Sequence, residues 1–115
     1  MTTVTFHSAQ GRIDGFVVEG HSGYAEAGSD VVCAAVSAAV GLVECTINEV
    51  LGLEASVKLR PDEARITLRL PGGLGAQNEH TCQNLLAGLL VYLQNVSEDY
   101  PENLAVRMDD DDEDE

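Results

Sequence analysis

The hydrophobic pattern of the chain predicts an α+β fold of order ββαββαβ, a mainly antiparallel sheet carrying two long helices. Three observations carry this prediction. β-Branched residues alternate in paired short runs joined by turn residues, two longer runs have helical character, and 115 residues leave room for a single core. The domain is read as residues 1–108, followed by an acidic tail, 109–115, whose adjacent like charges repel and form a disordered end.

Residues 3–7 and 13–19 alternate as strands do, with Gln10 and Gly11 as turn material between them, so the chain opens on a β-hairpin. Gly20, Gly23 and Gly28 then punctuate a stretch without helical or strand periodicity, read as a loop able to change conformation. Ser29 or Asp30 suits the N-cap of a helix over 31–51, whose run VVCAAVSAAVGLVECTINEVL is apolar on nearly every side and ends at Gly52. That run predicts a buried helix. Strands over 55–60 and 65–70, joined around Pro61 and Asp62, form a second hairpin. After the breaker cluster at 71–75, Asn78 can cap a helix reaching about Tyr100, with Leu86, Leu89, Leu90, Leu93 and Val96 at helical spacing. Pro101 stops it, and a short strand over 104–108 precedes the tail.

Charge and cysteine usage narrow the function. The net charge is -14, half of it in the terminal DDDDEDE, and six basic residues are too few to drive phosphate-backbone binding, so nucleic acid is not expected as a direct partner. A basic protein or peptide would be attracted instead. The apolar helix carries Ser37, Glu44 and Asn48, which argues against a membrane span, and the N-terminal segment has no secretory pattern, so a cytoplasmic location is expected. Cys33, Cys45 and Cys82 are odd in number and form no CxxC pair, which argues for thiols over disulfides or a cysteine zinc site. No cofactor and no metal is expected.

The chemistry concentrates near the start of the first helix. A thiol there meets unpaired backbone N–H groups and the positive end of the helix dipole, which favour its thiolate, and His21, twelve residues upstream, could take its proton. Cys33 stands three residues after Asp30 and four before Ser37, so the three share one helix face. Two readings of Cys33 compete on spacing alone: a nucleophile, or a small apolar residue in an Ala- and Val-rich core. Asp30 could cap the helix, orient His21 or contact substrate, while Ser37 could donate to the thiolate or bond back to the Cys33 carbonyl. Cys45, Cys82, His7 and His80 have no second signal beside them, and the Gly20-His21-Ser22-Gly23 stretch lacks the Lys of a phosphate loop.

Gly20-His21, the loop glycine Gly28, Asp30-Val31-Val32-Cys33-Ala34 and Ser37 together resemble the motif of the bacterial ribosomal-processing cysteine proteases (Prp). The similarity extends to LLVYLQNVSEDYPENLAV near the C-terminus and covers nearly the whole chain except the acidic tail, which the family pattern does not require. The resemblance implies a cysteine endopeptidase that removes the N-terminal extension of a large-subunit ribosomal protein precursor. It makes Cys33 the nucleophile and His21 the general base, with Asp30 and Ser37 in support. It also implies a homodimer, and a loop bearing Gly20, Ser22, Gly23 and Gly28 that moves to admit the peptide. The rival from another class is a non-catalytic dimeric module that binds a basic ribosomal protein during ribosome assembly, with an unreactive Cys33.

Overall fold

The structure is a computed structural model that describes residues 1–20 and 27–111, with 27–30 described by backbone alone. Strands β1 (Thr2–Ala9) and β2 (Arg12–Glu19) form the opening hairpin. Their two-residue turn places Gln10 at φ 56° and Gly11 at φ 79°, the paired positive dihedrals that match the twist of a tight hairpin. Helix α1 (Ala27–Cys45) continues through a π-helical turn (Thr46–Val50), after which come β3 (Ser56–Arg60), β4 (Arg65–Arg69), α2 (Ala76–Asp99) and β5 (Leu104–Asp110). The strands form one sheet in the order β3-β4-β2-β1-β5, antiparallel except where β5 pairs with β1. The expected α+β architecture is therefore the one the chain adopts.

Strand alternation decides which sheet face is covered. Val4, Phe6, Phe16, Val18, Leu68 and Leu104 are buried against one stripe of α1 (Val32, Val36, Val40, Val43, with Ile47 in the π turn) and one of α2 (Cys82, Leu86, Leu89, Leu93). The stripes recur at intervals of three and four residues, as one face of a helix does. The opposite sheet face carries the alternate residues, among them Lys58, Arg60, Arg65, Arg69 and Arg107, five of the six basic residues of the chain. Polar clamps fix the hairpin to α2: Arg12 pairs with Glu79 at 2.6 Å, and Gln83 both accepts from the Ile13 N–H and donates to its carbonyl at 2.8 Å. Gly15 sits where a Cβ would lie 2.4 Å from the Leu68 carbonyl oxygen, so β2 and β4 can pair closely only with glycine there.

Three boundary expectations and one of burial are corrected. Helix α1 begins at Ala27, so Ser29 and Asp30 lie inside its first turn and neither is the N-cap. Ala27 loses no side-chain entropy in a helix and one Gly costs only about 1 kcal/mol, so the helix extends past the local cap signal. The same helix is buried on one side only, with Val31 51% and Leu42 67% exposed, because the sheet offers a single face to pack on. Its stretch Val31–Val50 is long and apolar enough to cross a membrane, and in this fold its core-facing stripe is spent on the sheet. Helix α2 starts at Ala76 after Gly75, whose φ of 84° turns the chain, and Asn78 instead donates to the Leu74 carbonyl at 3.4 Å. Finally, β5 runs two residues past Met108, so Asp109 and Asp110 are strand and not tail. Residues 112–115 lie outside the described residues.

The strand extension has a chemical fastening. The Ser8 hydroxyl donates to Asp110, the Asp111 N–H donates to the Ser8 carbonyl at 2.7 Å, and His7 Nδ1 meets Asp14 at 2.5 Å with Asp111 3.8 Å from Nε2. The hydrogen bond to Asp14 raises the His7 pKa above 6.5, with the charges of Asp14, Asp109 and Asp111 adding to it and partial burial opposing. Because the folded value exceeds the unfolded one, this stabilisation is complete below about pH 6.5 and is lost as the pH rises through the folded pKa. The melting temperature of His7→Gln should accordingly fall furthest below wild type near about pH 6, with the gap narrowing towards about pH 8.5. A gap that does not vary with pH, by calorimetry, would refute this linkage.

Candidate active site

The elements converge at the end of the sheet where β2 gives way to the segment holding His21. There Cys33 and Ser37, one turn apart on α1, line a cavity of about 250 Å³ with Thr2 of β1, Gly20, Leu59 of β3, and Ala64, Arg65 and Ile66 at the β3–β4 turn. Cys33 is half-buried, because Val32 and Val36 of the core stripe flank it and leave its own position at the edge of the helix–sheet seam. The walls are largely apolar. Among the described lining residues Arg65 is the one cation, and it pairs with Glu19 at 3.0 Å.

Cys33 does not stand at the start of its helix, contrary to what its spacing from Ser29 and Asp30 suggests. With α1 beginning at Ala27, Cys33 is its seventh residue, whereas the unpaired N–H groups belong to the first four, and the dipole acts mainly within the first turn. Asp30 is the fourth residue of α1, on the face of Cys33 by spacing, and capping is removed from its possible tasks. Gly28, expected in the loop, lies within α1. His21, Ser22 and Gly23 lie outside the described residues.

Geometry separates the three cysteines. Cys82 is fully buried in the core, and burial pushes its thiol pKa up. Cys45 is exposed, with Glu49 3.8 Å from its sulfur, and the charge of Glu49 raises its pKa and opposes the thiolate. Cys33 combines partial exposure with a place in the wall of the 250 Å³ cavity. His80 faces Asn84 at 3.3 Å, His7 is occupied by Asp14, and no group of three or more His, Cys, Asp or Glu among the described residues could hold a metal ion. A larger groove of about 500 Å³ runs between the helices, but Ala38, Leu42, Leu85, Gly88 and Tyr92 give it no nucleophile or base.

Sequence reading missed the walls supplied by Thr2, Leu59, Ala64, Arg65 and Ile66. No local signal marks them, because they reach Cys33 through the pairing of β1, β2, β4 and β3 in one sheet, and an alanine gives no hint of the left-handed conformation that Ala64 adopts at φ 49°.

Comparison with known proteins gives concordant matches. The family model described as cysteine protease Prp matches residues 1–105. The ribosomal processing cysteine protease Prp of Bacillus subtilis is 34% identical over 92 residues, covering 79% of this chain and 81% of that protein. The crystal structure of the ribosomal processing protease Prp from S. aureus with a substrate peptide superposes with a TM-score of 0.81 at 24% identity, covering 94% of this chain and 99% of that one. A second S. aureus Prp structure, with a covalently linked product peptide, has a TM-score of 0.73 at 25% identity, with the same coverage.

Proposed function

The chain belongs to the cysteine protease Prp family, and from that premise we propose that this cysteine protease removes the N-terminal extension of a large-subunit ribosomal protein precursor, with Cys33 as nucleophile and His21 as general base. The observation that carries the assignment is that Cys33, half-buried, lines a cavity of about 250 Å³ together with Ser37 and Gly20. The Cys33 sulfur attacks the scissile carbonyl carbon as its proton passes to His21. The tetrahedral adduct collapses with C–N cleavage, His21 protonates the departing amine, and water hydrolyses the thioester to restore the thiol. The covalent product complex of the S. aureus relative is the kind of species this route passes through.

Inside the helix, the Cys33 N–H is directed along the helical ladder and not at a substrate. This leaves the Ser37 hydroxyl, on the same cavity wall, as a donor to the developing oxyanion or to the thiolate. Asp30 orients His21 or contacts the substrate. The net charge of -14 supports a basic substrate, which it would attract at long range. A cytoplasmic homodimer belongs to the same proposal, carried over from the family resemblance.

Incubation with candidate ribosomal protein precursors under reducing conditions, followed by intact-mass measurement, tests the function. The expected result is a mass loss equal to an N-terminal extension. Precursors that all keep their full mass would overturn it.

A further inference from the structure

Gly20 leaves β2 at φ 79° and Ala64 closes the β3–β4 turn at φ 49°, a region rarely adopted by residues with a Cβ. The two meet directly. The Gly20 N–H donates to the Ala64 carbonyl at 3.1 Å, one rung beyond the Glu19–Arg65 pair that ends the β2–β4 ladder. On its other side Gly20 is pressed so closely on Met1 that a Cβ would stand 2.6 Å from the Met1 carbonyl oxygen. Ala64 is held in turn by its own N–H, which donates to the Pro61 carbonyl at 3.1 Å. Both residues line the Cys33 cavity. An extended or right-handed Ala64 would aim its carbonyl elsewhere and leave the Gly20 N–H without this acceptor.

We propose that the β3–β4 turn is a working part of the active site, with Gly20 and Ala64 as positioning residues that fix the point from which His21 departs relative to Cys33. The inference rests on the roles assigned to His21 and Cys33 above. Consecutive Cα atoms are about 3.8 Å apart, so a brace on Gly20 confines where the chain that follows can start. Misplacing a catalytic group by about 1 Å can cost about 10²-fold in rate, which gives such a brace its leverage.

Gly20→Ala adds the Cβ that meets Met1, Ala64→Val puts a β-branched residue where left-handed backbone is least tolerated, and Ala64→Gly accepts that backbone freely. For each variant, kcat, KM and the pH dependence of iodoacetamide alkylation at Cys33, read by peptide mass, are compared with wild type and His21→Ala. Thermal melts give the folded fraction. Gly20→Ala and Ala64→Val should lower kcat by about 10- to 100-fold with KM within about twofold, and shift the alkylation profile towards that of His21→Ala. Ala64→Gly should recover the activity that Ala64→Val loses. Wild-type kcat and alkylation profile in Gly20→Ala, or losses that only track unfolding, would overturn the brace while leaving His21 as base. Identical profiles for wild type and His21→Ala would instead remove His21 as the base, and the brace with it.

Discussion

Replacing Cys33 by Ala is expected to lower kcat/KM for precursor cleavage by at least about 10⁴-fold, since removing a nucleophile that acts together with its base abolishes nearly all of their joint contribution. The fold should be nearly untouched. Cys33 is half-buried and only its sulfur is lost, so the change in stability should stay near about 1 kcal/mol and the melting temperature within about 5 °C. Cys45→Ala provides the internal control: that thiol is exposed, lies outside the cavity and is held from ionising by Glu49, so cleavage should proceed unchanged. Turnover by Cys33→Ala at the wild-type rate, in protein free of contaminating protease, would remove the nucleophile assignment.

The second large effect concerns the core. Phe6 and Phe16 face each other across β1 and β2, both almost completely buried, with ring centroids 5.7 Å apart. Phe6→Ala should cost about 3–5 kcal/mol, which for a domain of this size lowers the melting temperature by roughly 10–20 °C. Phe6→Leu keeps most of the volume and should recover the greater part of that loss. A Phe6→Ala protein melting within a few degrees of wild type would mean that the sheet–helix core can close over the cavity. That would contradict the close packing on which the position of α1, and with it Cys33, depends.

What was legible in the sequence follows the range of the interactions. The opening hairpin could be read from strand alternation around Gln10-Gly11, and the end of α2 from Pro101, because those signals act over a few residues. The start of α1 could not, since the cap chemistry of Ser29 and Asp30 is a local preference that an extension of the helix to Ala27 overrides. The candidate site divides in the same way. Cys33 and Ser37 share a cavity wall because four residues make about one helical turn, which spacing alone foretold. Ala64 and Arg65 reach it through the register Glu19↔Arg65, a pairing across 46 residues that no window of sequence reveals. The distribution of charge is also tertiary: composition reports -14, while the alternation of β3, β4 and β5 sorts the cations onto one face.

The position of β1 between β2 and β5 sets the order in which the chain can be completed during synthesis. Its first partner is made within a few residues, but the second, β5, begins at Leu104. At about 5–20 residues per second, a ribosome takes roughly 5–20 s to deliver that strand. For that interval the β1 edge, with Phe6 and Val4 on the face awaiting α2, presents unpaired backbone to other nascent chains. Closure of the sheet is therefore a late event in the birth of the molecule, and the acidic residues that arrive with β5 bring mutual repulsion to the edge strand as the sheet closes.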